Sequence, residues 1–292
     1  MIKGFDAQAF VAATLAEDLG GRVSTAGDVT GAACLAEEAR LEAALVAREP
    51  LVVAGLWLAG LFFRALDPEA RFAPALAEGD EAPAGAVLAR VSGRARALLA
   101  AERSALNTLQ HLSGIATLTR RHVEAIAGTG AILLDTRKTL PGLRHLEKWA
   151  VRMGGGMNHR MGLFDRPMVK DNHIAAAGGI AGAVAACRAA GLSDIIVEVD
   201  RLDQIEEALS AGADWLLLDN MDPAQLRAAV ARVAGRVPTE ASGGVTLETI
   251  RAVAETGVTY VSVGRITQSA PAVDIGMDIA PAALGPSDSG VA

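Results

Sequence analysis

The chain has 292 residues, 51% hydrophobic by the AVILMFWYC count, 21% charged and 3% aromatic, with a formal charge of −7. Such a chain is too apolar for a disordered protein and long enough for a sizeable core, and its acidity disfavours generic nucleic-acid binding, because phosphate backbones attract net basic faces. Its two cysteines, Cys34 and Cys187, form no C-x-x-C or zinc spacing, so the reading is a reducing compartment, no structural metal and inert or buried thiols.

The first residues, Met1 to Gly21, mix Asp6, Gln8, Glu17 and Asp18 with apolar positions. They read as an amphipathic helix rather than a signal core. Gly20 to Asp28 carries no functional reading. Leu41 to Arg48 suits a strand. The apolar run Leu51 to Phe63 falls short of the ~20 residues that cross a bilayer. A helix is predicted over Leu56 to Leu66 and a strand over Ala86 to Val91, with turns at Ala77 to Asp80 and Pro83 to Gly85. Leu98 to Leu112 has helical periodicity. Residues 1–112 thus read as an α+β unit, and the whole as a soluble cytoplasmic protein without membrane contact.

From there strands and helices alternate strictly. Strand-like runs recur at Ala131–Leu134, Pro167–Val169, Ile195–Val199, Trp215–Leu218, Pro238–Ala241 and Tyr260–Val263. Helical patterns lie between them at Leu143–Met153, Ile180–Ala190, Leu202–Ala211, Pro223–Val233 and Leu247–Thr256. Asp222-Pro223 and Thr246 read as helix entries; Gly191, Gly212 and Gly257 read as helix stops. This alternation predicts parallel strands in an α/β barrel or a near-closed relative, with one further strand hidden near Gly154–Asn158. A doubly wound sheet is the alternative, made weaker by the missing G-x-G-x-x-G after the first strand.

Chemistry in such a barrel gathers where the strands end. Past those ends come Thr136, Arg137 and Lys138, then His159 and Arg160, then Lys170. So many cations on one rim of an acidic protein call for an anionic ligand. Glu198 and Asp219 belong to neighbouring strands at the same rim. They read either as salt-bridge partners of those cations or as the carboxylates that suit Mg²⁺, a hard cation. Ser242-Gly243-Gly244 and Gly264 end the last two strands, where backbone N–H groups can approach a phosphate.

The runs Glu102–Asn107, Ser113–Thr117, Asp135–Thr139, Gly154–Gly156, Asn158–Leu163 and Lys170–His173 resemble quinolinate phosphoribosyltransferase. So do Glu198, Leu218–Asn220, Ser242–Gly244 and Ser269–Pro271. The resemblance spans nearly the whole chain. It implies an incomplete α/β (TIM-like) barrel over residues 113–271. Before it stands an N-terminal α/β sandwich domain, residues 1–112, completed by a C-terminal tail at 272–292. It also implies a homodimer in which Arg103 completes the partner's site. Quinolinate would be held by Arg103, Arg137, His159, Arg160 and Lys170, and Thr136 would be a further substrate-binding residue. Lys138, Glu198 and Asp219 would serve as catalytic groups for phosphoribosyl pyrophosphate, with Glu198 and Asp219 holding Mg²⁺. Ser242, Gly243 and Gly264 would hold the 5′-phosphate. Gln268 and Arg265 depart from the family pattern near that phosphate edge.

Three other readings compete: an aldolase-type barrel with Lys170 as a Schiff-base amine, a paralogue of molybdenum-related operons, and a non-catalytic binding protein on the same scaffold. His111, His122 and His145 read as surface or interface residues. His173, following the Lys170 segment, reads as standing behind the site's direct contacts at most, and Trp57, Trp149 and Trp215 as packing residues of cores or the subunit interface.

Overall fold

The computed structural model describes residues 2–279, which divide into two compact units, 2–117 with 271–279, and 118–270.

The first unit opens with α1 (Ala7–Asp18), whose N-terminus is capped by the Asp6 carboxylate accepting the Ala9 N–H at 3.0 Å. The stretch after it holds a 3₁₀ turn at Thr25–Gly27 and α2 (Val29–Cys34), capped by Asp28. Strands β1 (Arg40–Ala47) and β2 (Leu51–Val52) follow, then α3 (Leu56–Leu66), β3 (Arg71–Pro74), β4 (Glu81–Ala82), β5 (Val87–Arg94) and α4 (Ala95–Ala125). In β1 the alternation is sharp: Leu41, Ala43, Leu45 and Ala47 are buried because successive side chains face opposite sides of a sheet. Helix α3 buries Leu56, Leu58, Phe62 and Phe63, the last stacked on Phe72 of β3 with ring centroids 5.9 Å apart. The N–H groups that open α3 are met by Glu78, which accepts from Gly55 at 2.7 Å and Trp57 at 3.1 Å; burial raises the Glu78 carboxyl above the usual range despite these bonds.

Helix α4 runs well past the predicted Leu112, and its residues from Leu118 belong to the second unit. Ser113 and Thr117 occupy its continuation. Their hydroxyls accept the Ala54 and Val52 N–H groups at 3.0 and 2.8 Å, so residues that weaken a helical reading have a structural use there. The last strand, β12 (Ile275–Ile279), returns to the first unit and pairs antiparallel with β1, Ile275 opposite Ala47. The sheet order is β12-β1-β5-β3. The C-terminal segment thus completes the N-terminal sheet; residues 280–292 of the expected tail lie outside the described residues.

The second unit contains β6 (Ile132–Leu134), α5 (Arg144–Met153), β7 (Met168–Val169), α6 (Asp171–Ala176), α7 (Ile180–Ala189), β8 (Ile196–Val199), α8 (Gln204–Ser210), β9 (Trp215–Asp219), α9 (Pro223–Val233), β10 (Thr239–Ser242), α10 (Ile250–Ala254), β11 (Tyr260–Ser262) and α11 (Arg265–Gln268). The alternation read from the sequence is present throughout. Asp222 and Pro223 form the predicted helix entry, a capping box in which Asp222 accepts from Ala224 and Gln225 while Gln225 accepts from Asp222. All strand pairs are parallel, in the order β6-β11-β10-β9-β8-β7. The first strand therefore neighbours the last, as in a barrel and unlike a doubly wound sheet. The gap in the ring lies between β6 and β7.

The hidden strand expected at Gly154–Asn158 is a single parallel bridge between Met157 and Leu134. Gly154 ends α5 and Gly155 has φ +93°. On the other side the Asn158 side chain turns away to Asp135 at 2.6 Å. Too few residues remain to extend a ladder.

Other expectations need correction. His122 is buried, 3% exposed, with Nδ1 donating to the Leu118 carbonyl at 2.8 Å. That contact with the preceding helical turn supplies the partner that burial requires, and burial holds its pKa below the usual imidazole value. Neither cysteine is buried: Cys34 is exposed and Cys187 half-buried. Among the described residues, no helix is long and apolar enough to cross a membrane.

Candidate active site

One face of the parallel strands builds both floor and mouth of a cavity. Leu134, Ile196, Trp215 and Leu217, with Met168 and Tyr260, form an apolar cluster. Trp215 is the thickest part of it, stacked on Tyr260 at 4.3 Å and covered by the Arg166 guanidinium at 4.5 Å. Two residues further along those strands, on the same side of the pleat, stand Thr136, Glu198, Asp219, Lys170 and Ser262. The switch from apolar to polar along one face turns the floor into a site. The cavity above it has a volume of about 750 Å³.

Its lining gathers Thr136, Arg137, Lys138, His159, Arg160, Lys170, Glu198, Asp219, Ser242, Gly243 and Gly264. Every predicted site residue of this unit is there. Arg265 and Gln268 line it too. Arg103 belongs to the first unit, exposed on α4.

The cationic side is held from behind. Asp135, fully buried, takes the ammonium of Lys148, the Asn158 amide and, at 2.8 Å, the His159 backbone N–H. Burial pushes the Asp135 carboxyl up and the Lys148 ammonium down, and each charge opposes the shift of the other. Arg144 ties two loops together, donating to the carbonyls of Arg137 at 3.3 Å and Met161 at 3.2 Å. Lys170 receives its own support from His173, whose Nδ1 accepts the Lys170 N–H at 3.0 Å. Its ammonium donates to the Glu198 carboxylate.

Two observations mark this side as built for an anion. Arg137 Nε is buried with no hydrogen-bond partner, although buried polar atoms are normally paired. Burial and the neighbouring Arg137 guanidinium both lower the Arg160 pKa, against the pull of Asp165 and Glu198. Arginine stays charged regardless, so the shift records cations crowded together.

At the opposite edge, the two glycines have close neighbours. A Cβ on Gly243, at φ +103°, would lie 2.1 Å from Asn220 Oδ1. One on Gly264 would lie 2.7 Å from the Lys138 side chain. Asn220 in turn donates to Asp219 at 2.7 Å and takes the Ser242 carbonyl on its backbone N–H at 2.8 Å. Asp219, Asn220, Ser242 and Gly243 therefore form one tight corner.

Glu198 and Asp219 offer a hard oxygen donor pair, suited to a cation that binds one or two carboxylates and completes its shell with phosphate oxygens and water. The described residues contain no cluster of three or more potential metal ligands, so an all-protein cage is not what they build.

Glu240 escaped the sequence reading. It lines the cavity and is 1% exposed. It lies in a short strand, Thr239–Ser242, and the signal available is its period-two relation to Ser242.

The family model described as "Quinolinate phosphoribosyl transferase, C-terminal domain" matches residues 115–278, and its N-terminal-domain counterpart matches residues 28–113. The chain belongs to the quinolinate phosphoribosyltransferase family. Similar members include the chloroplastic nicotinate-nucleotide pyrophosphorylase [carboxylating] of Arabidopsis thaliana, 42% identical over 94% of this chain and 83% of the relative. The probable enzyme of that name from Bacillus subtilis is 43% identical over 90% of each chain. Among solved structures, the nicotinate-nucleotide pyrophosphorylase of Francisella tularensis superposes with a TM-score of 0.89, at 38% identity over 96% of this chain and 99% of that one. The incomplete barrel and the C-terminally completed sheet are thus the architecture of this phosphoribosyltransferase family.

Proposed function

We propose that this chain transfers the phosphoribosyl group of phosphoribosyl pyrophosphate to quinolinate with loss of CO₂, giving nicotinate mononucleotide and pyrophosphate for NAD biosynthesis. The observation that carries the reading is one cavity with a cation-crowded side, Arg137, Arg160 and Lys170, facing a carboxylate and glycine side, Glu198, Asp219 and Gly243.

The two halves of the site divide the chemistry. Arg137 and Arg160 can grip the two adjacent carboxylates of the pyridine diacid in bidentate fashion, with Lys170 as a point charge beside them. That grip aims the ring nitrogen at the ribose carbon. The Ser242–Gly244 turn and Gly264 give the 5′-phosphate close access to backbone N–H groups. Lys138, beside Gly264, balances charge on the departing pyrophosphate. Glu198 and Asp219 would hold Mg²⁺, which would add to the neutralisation of pyrophosphate charge.

As the nitrogen–carbon bond forms, the carbon–oxygen bond to pyrophosphate breaks and the leaving group takes that electron pair. The resulting pyridinium then accepts the electron pair left when the neighbouring carbon–carboxylate bond breaks. The ring carbon takes a proton and CO₂ departs. No side chain needs to become a covalent nucleophile. The aldolase alternative is disfavoured because Lys170 is an ammonium donating to Glu198 rather than a desolvated amine.

The same reading gives a cytoplasmic homodimer in which Arg103 of one protomer completes the site of the other; its exposure on α4 leaves it available for that role. Purified protein incubated with quinolinate, phosphoribosyl pyrophosphate and Mg²⁺ should form nicotinate mononucleotide and release CO₂ in equal amounts, and nicotinate in place of quinolinate should give at most a trace. Equal turnover of nicotinate, or none of quinolinate, would contradict the proposal.

A further inference from the structure

The reaction outlined above uses the cationic side chains but gives no task to Glu240. It stands on β10 two residues before Ser242, on the face that lines the cavity. Its Oε2 lies 3.1 Å from His159 Nε2, within hydrogen-bond distance; the histidine and glutamate side chains are both buried, 6% and 1% exposed. Its Oε1 is buried with no hydrogen-bond partner.

The other side of the His159 ring is occupied as well. The Arg160 backbone N–H donates to His159 Nδ1 at 2.7 Å. A nitrogen that accepts an N–H carries no proton, so the ring proton sits on Nε2, where Glu240 receives it. With its backbone N–H on Asp135, His159 is fixed at three points. Neither ring nitrogen is left to reach a ligand. The sequence places His159 among the substrate contacts; its geometry instead makes it a brace for the next residue. Arg160 is held a second time, by Nη1 donating to the Arg166 carbonyl at 3.0 Å.

We propose that Glu240 is a positioning residue for diacid capture: it selects the Nε2–H form of His159, whose free Nδ1 then anchors the Arg160 backbone and so aims the Arg160 guanidinium into the cavity. This deepens the quinolinate reading and rests on it for the identity of the diacid. The arrangement follows the pattern in which one ring nitrogen of a histidine is set by the partner of the other. A carboxylate is suited to the task because it accepts and never donates when ionised, which excludes the Nδ1–H tautomer.

The test combines ¹⁵N spectra of the histidine rings with quinolinate titration calorimetry on the full chain. The His159 signals are assigned by their loss in His159→Gln. Wild-type protein should show His159 with its proton on Nε2. Glu240→Gln keeps an acceptor oxygen and should preserve both that tautomer and the quinolinate Kd, within about threefold. Glu240→Leu should lose the tautomer preference and weaken quinolinate about tenfold or more, with the phosphoribosyl pyrophosphate KM within about twofold. An Nδ1–H tautomer in wild type, unchanged quinolinate affinity in Glu240→Leu, or a tenfold loss in Glu240→Gln would each overturn the proposal. If Glu240→Leu does not fold, the wild-type spectrum and Glu240→Gln decide. Wild-type protein that binds quinolinate but never turns it over would refute the activity alone; protein that binds none would refute both.

Discussion

Lys170, one residue beyond β7, donates its ammonium to the carboxylate of Glu198 on the neighbouring strand β8. In the proposed reaction these two groups serve different ligands: Lys170 faces the diacid, and Glu198 faces the metal and pyrophosphate. Their contact is therefore one that substrates must divide. Glu198→Gln removes the competing carboxylate charge. Calorimetry on that variant should find quinolinate bound as well as in wild type or up to about fivefold tighter, the ~0–1 kcal/mol scale of a partly exposed ion pair. Turnover should fall about a hundredfold or more, as for a lost electrostatic group in a transition state. Quinolinate affinity falling in step with turnover would show that Glu198 supports diacid binding instead.

The corner formed by Asn220 and Gly243 makes a steric prediction. A methyl group at Gly243 has no room beside Asn220 Oδ1, and the backbone conformation there is one that side chains disfavour. Gly243→Ala should cost about 1–3 kcal/mol of stability in urea denaturation. Because Asn220 must move and carries Asp219 with it, the phosphoribosyl pyrophosphate KM should rise about tenfold or more, with quinolinate affinity little changed. An equal loss for both substrates would place the glycine elsewhere in the mechanism.

Behind the cationic loops, Asp135 and Lys148 form an ion pair that is fully buried. Lys148→Met leaves the Asp135 charge in a dry interior and should destabilise the protein by about 3–5 kcal/mol. The double variant Asp135→Asn, Lys148→Met should recover a substantial part of that loss, since the uncompensated charge is gone. Denaturation midpoints of the two variants measure this; a single variant within about 1 kcal/mol of wild type would mean that the pair relaxes into solvent.

Sharing of the site between protomers has a direct assay. Arg103→Ala and Lys138→Ala chains should each be nearly inactive alone. Mixed and re-formed, they should regain up to about a quarter of wild-type activity, since half of the dimers are mixed at random and each has one intact site. Verified heterodimers with no activity would argue against a contribution of Arg103 across the interface.

The parallel strands were legible because each is a short apolar run between helices. The residues after those runs were legible as a site because strand ends in such a barrel share one rim. Arg137, Lys138, Arg160, Lys170, Glu198 and Asp219 could be read in this way without knowing a single distance. Glu240 could not: a lone acid within a short strand shows nothing of its partner, and His159 lies 81 positions away. Lys148 was hidden similarly, since a lysine on a helix reads as solvated until Asp135 is seen beneath it. The segment around Met157 reads as a strand but forms one bridge, because two glycines and a diverted asparagine leave room for no more.

The account stands on basic side chains from two strand ends, after β6 and β7, and from the loop between them holding one diacid. A crystal structure of the protein soaked with quinolinate tests this most directly. The account predicts the two carboxylates seated against Arg137, Arg160 and Lys170, with the ring nitrogen turned toward Asp219 and Gly243. A diacid bound elsewhere, or seated with its carboxylates away from those three residues, would contradict it.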